Sequence, residues 1–164
     1  MVYIKENGFL PEELYQEEKE SDRFDKDAIH IAAIDRNGQL AGAVRLALDF
    51  GCGFPMEEYS HYPIFKQNTG INRKHTAEIS RLVIRKDYRI NQWVNPYRVV
   101  IAEKPANITR ECRCTISPIL FGLYGIAFQE SQRRNINFWC AAMEDSLYRL
   151  VSAHGFIFRP LGEP

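Results

Sequence analysis

The sequence predicts a single domain of the α/β (α+β) class, built on a mixed β-sheet flanked by helices. Its 164 residues, 45% of them hydrophobic, are enough for one substantial core and too few for two ordinary domains. The first half of the chain is typical of a hairpin and a central strand, whereas the later strands alternate with helices. This order favours a mixed sheet over a helical bundle or a β-sandwich.

Charge and hydropathy limit the classes of partner. Lysine and arginine number 21, as do aspartate and glutamate, so the overall charge indicates neither nucleic-acid binding nor an anionic membrane surface. Acidic residues dominate 1–27, whereas basic residues dominate 81–113, which is therefore a candidate docking face for an acidic partner. The sequence shows no membrane-spanning run, no leader and no disulfide framework, so a cytoplasmic protein with reduced thiols is expected.

The first half of the chain contains the clearest strands. Residues 11–19 predict a short solvated helix or an extended arm. Residues 30–34 and 40–48 are β-compatible runs, and the Asn37-Gly38 pair between them suits the positive φ angles of a tight hairpin turn. Residues 49–75 lack a sustained period and predict a long ordered loop or irregular cover, which is often a functional lid. Residues 76–85 predict the central strand.

The second half alternates helices and strands. After a polar connection, 98–103 favours a short strand or helix, and Ser117-Pro118 is typical of a helix start. This helix should run to about Arg133. Its predicted buried stripe consists of Ile119, Leu120, Leu123, Ala127 and Phe128. Residues 136–142 predict a strand, 143–154 a helix ended by Gly155, and 156–161 a last strand.

The central strand contains two charges that a buried strand should not leave unpaired, Glu78 and Arg81. In a regular strand Glu78 and Ser80 face one side and Arg81 the other. Either a β-bulge therefore brings Arg81 to the face of Glu78, or Arg81 pairs elsewhere. The available partners, which would complete a five-membered charge cluster, are Asp22, Asp25 and Arg45.

These residue types leave two interpretations of Glu78 open. A buried carboxylate with a raised pKa can take a proton from an attacking amine or alcohol, which predicts a general base. The residue types alone favour the alternative, a structural ion pair between Glu78 and Arg81. Ser80 is a candidate proton donor to a leaving group, although such a serine more often bonds the backbone.

Other catalytic motifs are missing from the sequence. Cys112 and Cys114 with four scattered histidines do not match a zinc spacing, so no metal site is expected. Neither a Gly-x-Ser-x-Gly elbow nor a Walker-type loop occurs. No glycine lies between Gly70 and Gly122, which disfavours a glycine-rich pyrophosphate cradle after the central strand.

Several blocks together resemble known acyltransferases. The order and spacing of four blocks resemble the acyl-homoserine-lactone (autoinducer) synthases: Glu20-Ser21-Asp22-Arg23-Phe24-Asp25, Gly42-Ala43-Val44-Arg45-Leu46, Glu78-Ile79-Ser80-Arg81, and Ala142-Met143 through Gly155-Phe156. Four more are similar to exosortase-associated acyltransferases and long-chain N-acyl amino acid synthases: Asn7-Gly8-Phe9-Leu10-Pro11, Gly53-Phe54-Pro55-Met56-Glu57, Ser146-Leu147-Tyr148-Arg149-Leu150 and Pro160-Leu161-Gly162.

All these families share the GCN5-related N-acetyltransferase fold, and the resemblance covers nearly the whole chain. It implies a single acyltransferase domain over 1–164, with a splayed central strand pair, and further family segments before Tyr3 and after Pro164. It also implies transfer of a fatty acyl group from a thioester to an amine, with Glu78 as base and Ser80 as a second catalytic candidate. The implied cleft residues are Asp22, Asp25, Arg45 and Arg81 beside Glu78.

The resemblance also implies where the thioester lies. Its carbonyl is expected near the backbone of Leu82, Val83 and Ile84, where 82–84 face 138–141, including Trp139 and Cys140. Phe121, Phe138 and Trp139 are candidates for a lipophilic pocket, with an ordinary core as the alternative. The position of the tyrosine acid found in many acetyltransferases holds Val151, so the leaving-group proton would come from Ser80 or solvent, unless a thiolate leaves.

The expected donor is acyl carrier protein. The chain lacks the Arg/Gln-x-x-Gly-x-Gly/Ala loop that holds coenzyme A pyrophosphate, which favours a phosphopantetheine thioester on the carrier over acyl-CoA. Arg110 and Arg113 are candidates to contact its phosphate and the acidic carrier. No bound cofactor is expected. An autoinducer synthase using S-adenosylmethionine and a non-catalytic acyl or carrier-protein binding module remain as alternatives.

Overall fold

A computed structural model of the protein describes residues 21–60, 65, 70–90 and 118–161. One sheet contains, in spatial order, β1 (Ala28–Ile34), β2 (Leu40–Leu48), β3 (Thr76–Ile84) and β4 (Phe138–Cys140). The described helices are α1 (Pro55–Ser60), α2 (Lys86–Ile90), α3 (Pro118–Arg133) and α4 (Asp145–Ala153). Strands β1, β2 and β3 pair antiparallel, whereas β3 and β4 pair parallel, which confirms the predicted mixed sheet.

The hairpin between β1 and β2 is confirmed, with one difference at its turn. Gly38 has a φ of 79°, whereas Asn37 does not adopt a positive φ. The Gly38 N–H donates to the Asp35 carbonyl at 3.1 Å. Asp35 Oδ1 accepts from the N–H groups of Asn37 and Gln39, both at 2.8 Å. The Asp35 side chain therefore closes the turn, and only the glycine needs a left-handed conformation.

The segment 49–75 is more regular than predicted. It contains α1 and a 3-10 turn at Arg73–His75. Pro55 occupies the first position of α1, and Glu57 Oε2 accepts from the Phe54 N–H at 3.0 Å. These are helix-start features, but six residues are too few to show a helical period in the sequence.

Helix α3 covers one face of β1, β2 and β3 and closes the core. The prediction of Phe128 as a core residue is wrong, since its side chain is 55% exposed. Tyr124 and Ser131 are buried instead, because they continue the stripe along the helix and leave Phe128 beyond its edge. The four correctly predicted core residues are Ile119, Leu120, Leu123 and Ala127.

The C-terminal elements are shorter than predicted. Strand β4 covers only three residues of 136–142, and α4 lies within 143–154. The predicted strand at 156–161 is wrong, because these described residues form no strand. Phe156 and Phe158 pack against the core while Ile157 is 87% exposed. An alternating pattern needs only one covered face, whereas a strand also needs a neighbour for its backbone hydrogen bonds.

Strands β3 and β4 pair over a short stretch, which ends where β4 ends. Thr76 pairs with Phe138 and Glu78 with Cys140, whereas β3 continues to Ile84. The splay of the central pair stays a prediction, and the expected facing of 82–84 with 138–141 is not observed. Neighbouring parallel strands run in the same direction, and the Asn137 N–H donates to the His75 carbonyl at 2.8 Å, so β4 begins beside the start of β3.

Several predictions fall outside the described residues. These are the elements at 11–19 and 98–103, the capping residue Ser117, and the carrier-contact candidates Arg110 and Arg113. None of the described helices combines the length and the hydropathy that a membrane crossing requires.

Candidate active site

Two aspartates and two arginines meet on the sheet face opposite α3. Arg45 Nη1 lies 2.8 Å from both Asp22 Oδ2 and Asp25 Oδ1. Arg81 lies 2.9 Å from Asp22 Oδ2 and 3.0 Å from Asp25 Oδ2. We call Asp22, Asp25, Arg45 and Arg81 the Asp–Arg cluster. Its arginines reach the same two carboxylates from neighbouring strands, as the sequence predicted.

The two aspartates are positioned by their own backbone. Asp25 Oδ2 accepts from the Asp22 N–H at 2.8 Å, and Asp22 Oδ1 accepts from the Phe24 N–H at 2.9 Å. Phe24 lies between the two aspartates in the sequence. Its side chain is buried and anchors this turn. Burial alone would raise the pKa of Asp25, but the Asp22 N–H and the two arginines more than offset it, so the pKa is lowered. Asp25 is therefore ionised at neutral pH.

A β-bulge places Arg81 in the cluster. Ala43 pairs with Val83 and Arg45 with Ser80, so β3 has one residue more than β2 in this interval. Arg81 has a φ of 51°, a left-handed conformation that is uncommon for a residue other than glycine. The sequence leaves a bulge and pairing of Arg81 elsewhere as alternatives, and the structure shows both. The described ion pairs of Arg81 are with Asp22 and Asp25, and a Glu78–Arg81 pair is not among them.

Glu78 lies beside the cluster and is 3% exposed. Its Oε2 accepts from the Met56 N–H of α1 at 2.8 Å, and the nearby Ser80 hydroxyl favours its charged form. Ser80 Oγ accepts from Arg45 Nε at 3.0 Å, and its hydroxyl can also donate a proton. Arg45 therefore joins Ser80 to the two aspartates of the Asp–Arg cluster.

Burial raises the pKa of Glu78 to about 7. Nearby Asp22 adds to this rise, whereas the Met56 N–H, Arg45 and Ser80 oppose it. Glu78 is therefore divided between its charged and neutral forms near neutral pH, as a general acid–base group requires.

On the adjacent strand, burial raises the pKa of the Cys140 thiol, whose Sγ donates to the Ala77 carbonyl at 3.6 Å. Cys140 is therefore a neutral thiol, which is a poor nucleophile.

The structure separates Trp139 from the other site candidates. Trp139 pairs with Ala77 and so faces the side opposite Glu78. Its indole N–H donates to Ser131 Oγ of α3 at 2.8 Å, and its ring stacks on Tyr124 with centroids 6.1 Å apart. Trp139 therefore lies in the layer between the sheet and α3.

The candidates for the thioester contact, Leu82, Val83 and Ile84, lie further along β3 than Glu78. Leu82 and Ile84 are half-buried against the core, and Val83 pairs with β2. Phe121 and Phe138 are 42% and 40% exposed, so the described residues do not enclose either of them.

Sequence reasoning missed the residues that hold α1 next to Glu78. Arg73 forms ion pairs with Asp49 and with Glu57 of α1. The available signal was local, since Pro55 followed two positions later by Glu57 is typical of a helix start.

The described residues contain no group of three or more His, Cys, Asp or Glu side chains placed to hold a metal ion.

The family model of the acetyltransferase (GNAT) domain matches residues 1–96 of this sequence, more than half of the 164-residue chain. The chain belongs to the GNAT acetyltransferase family. Neither a curated protein nor a solved structure matches it. GNAT membership supports acyl transfer from an acyl-CoA-type donor to a small amine, and the match includes Glu78 and the whole Asp–Arg cluster.

Proposed function

We propose that this GNAT protein transfers a fatty acyl group from an acyl-carrier-protein thioester, or from acyl-CoA, to the amine of an amino acid or a related small molecule. The observation that carries the proposal is the Glu78 carboxyl, 3% exposed and with a pKa raised to about 7, beside the Asp–Arg cluster. An α-amine has a pKa of about 8 and is mostly protonated at neutral pH. A base is therefore needed before its nitrogen can attack.

Glu78 takes one proton from the ammonium group and releases it to solvent, and it takes a second proton as the neutral nitrogen attacks the thioester carbonyl carbon. The C–N bond forms, the carbonyl electrons move to oxygen, and their return breaks the C–S bond and releases the thiolate. Ser80 accepts from Arg45 Nε and is near enough to Glu78 to affect its pKa. Its hydroxyl proton can pass to the leaving sulfur and be replaced by the proton that Glu78 accepted, which returns both side chains to their starting forms.

The Asp–Arg cluster shapes the amine site. Its two carboxylates and two guanidinium groups balance in charge, so ionised Glu78 provides the net negative charge that attracts an ammonium group. Arg81 has a side-chain exposure of 24%, against 3% for Arg45. Of these two arginines, Arg81 is the better placed to contact an amino-acid carboxylate.

The donor side of the proposal rests mainly on sequence. The glycine-free stretch after Gly70 and the basic segment 81–113 support a carrier-protein donor, with Arg110 and Arg113 as phosphopantetheine contacts. The thioester carbonyl is proposed to lie along Leu82, Val83 and Ile84, beyond the end of the β3–β4 pairing.

In the test, the full-length protein is incubated with acyl carrier protein that carries a long-chain acyl group, or with long-chain acyl-CoA. Amino acids or S-adenosylmethionine are added as acceptors, and the products are identified by mass spectrometry. We expect an N-acyl amino acid from the parent, a yield at least about 100-fold lower from Glu78→Gln, and parent yield from Glu58→Gln. Glu58 is the matched control because it is an exposed carboxylate on α1.

The other outcomes discriminate between the alternatives. An acyl-homoserine lactone from S-adenosylmethionine would favour the autoinducer reaction. Thermal stabilisation by acyl carrier protein without any product would favour a binding module. No acyl-amine from any combination would contradict the proposal.

A further inference from the structure

A second set of charged side chains lies around α1, the helix whose Met56 N–H donates to Glu78. Arg73, from the 3-10 turn before β3, places Nη1 at 2.6 Å from Asp49 Oδ2 and Nη2 at 2.5 Å from Glu57 Oε1. The Asp49 side chain is 5% exposed and that of Glu57 22%. We call these three residues the Arg73 group. It joins the end of β2, the start of β3 and the first turn of α1.

The Arg73 group fixes α1 through its backbone as well as its side chains. Glu57 Oε2 accepts from the Phe54 N–H at 3.0 Å, while Asp49 Oδ1 accepts from the Gly53 N–H at 3.0 Å. Gly53 has a φ of 80°, and a Cβ there would lie 3.1 Å from Glu57 Oε2. The Arg73 guanidinium also lies 5.6 Å from the centre of the buried Phe54 ring.

These contacts bear on Glu78 because Met56 lies between Phe54 and Glu57. Its N–H belongs to the first turn of α1, where no helical carbonyl is available, and it donates to Glu78 Oε2 at 2.8 Å. A six-residue helix has little stability of its own, so side-chain contacts must fix its position.

We propose that Arg73 is a positioning residue that, through Asp49 and Glu57, holds the Met56 N–H against Glu78 and so stabilises the ionised form of this carboxylate. The effect of this positioning on the rate of acyl transfer rests on Glu78 being the base of the proposed function. The positioning itself does not.

Two substitutions separate positioning from simple electrostatics. Arg73→Met removes a cation, so loss of its charge and loss of positioning both raise the pKa of Glu78. Glu57→Gln removes an anion, which by itself lowers the pKa of Glu78, whereas release of α1 raises it. The amide that replaces the Glu57 carboxylate keeps an oxygen that can accept from the Phe54 N–H, which favours folding of the variant. Lys74→Met is the matched control for Arg73→Met, because it removes an exposed cation one residue away.

The experiment titrates the Glu78 side-chain carboxyl by ¹³C NMR in full-length protein labelled at glutamate, with Glu78→Gln assigning the signal. We expect both Arg73→Met and Glu57→Gln to raise the titration midpoint by about one pH unit, since a hydrogen bond to a charged group is lost. Lys74→Met should move it by less than about 0.3 unit.

A lower midpoint in Glu57→Gln, or equal shifts in Arg73→Met and Lys74→Met, would overturn the proposal. Because the titration reads Glu78 directly, it does not depend on acyl transfer. Failure of the product assay therefore leaves this result interpretable, and an active enzyme with a lowered Glu57→Gln midpoint would refute only the positioning role.

Discussion

Replacing Glu78 with glutamine removes a buried titrating group and preserves its shape. The amide oxygen of the variant side chain can still accept from the Met56 N–H, so the local hydrogen bond to α1 is kept. The glutamine side chain, however, does not bind or release a proton in the pH range in which Glu78 titrates. We therefore expect the substitution to alter how the free energy of unfolding depends on pH.

The magnitude follows from the displaced pKa. Burial raises the pKa of Glu78 from 4.5 to about 7, so between these values the folded state holds a proton that the unfolded state has released. The stability contributed by this proton is complete below pH 4.5 and is lost as pH rises through 7. At about 1.4 kcal/mol per unit, the parent loses about 3 kcal/mol across this interval. Glu78→Gln lacks this loss.

Urea unfolding of parent and variant, followed by circular dichroism across this pH range, measures the difference directly. We expect the stability of Glu78→Gln relative to the parent to rise by about 3 kcal/mol from acidic to alkaline pH. Asp25 and Asp49 do not interfere, because their lowered pKa values place their titration below 3.8. Glu58→Gln should give a curve parallel to the parent. A parallel curve for Glu78→Gln would refute the raised pKa.

Two further substitutions test the structure around the site by the same urea measurement. Arg45→Met should destabilise the fold by about 3–5 kcal/mol because it leaves two carboxylates without their buried partner, whereas the exposed Arg133→Met should cost less than about 0.5 kcal/mol. Equal effects would contradict a buried cluster. Gly42→Ala should cost about 1–3 kcal/mol, since its Cβ would lie 2.9 Å from the Val83 carbonyl oxygen. Gly125→Ala in α3 meets no atom within 4 Å and should stabilise by about 0.5–1 kcal/mol, so a loss there would contradict the described packing.

The parts of the fold that the sequence predicts are those with local causes. The hairpin depends on the Asp35 to Gly38 turn, and α3 depends on its apolar stripe and its proline start. The bulge at Arg81 follows from a conflict, because the face alternation of β3 would otherwise turn Arg81 away from Glu78. The two charges in this strand therefore indicate a bulge or other partners for Arg81, and the sequence alone does not decide between them.

The missed features depend on contacts between distant residues. Helix α1 is held by Arg73, which follows it in the chain and also contacts Asp49, and no periodic pattern links these positions. At 156–161, by contrast, the sequence predicts a strand that the structure does not contain. Its alternating pattern reflects the packing of Phe156 against Tyr124, with ring centroids 5.0 Å apart, and not pairing as a strand.

The pH dependence of kcat/KM for acyl transfer to an amino acid tests the central claim most directly. With Glu78 as the base, the parent should lose activity below a midpoint near 7, because protonated Glu78 cannot accept the amine proton. Glu78→Gln should be slower by at least about 100-fold and should lack this midpoint. A Glu78→Gln variant with the rate and the pH profile of the parent would contradict the assignment of Glu78 as the base.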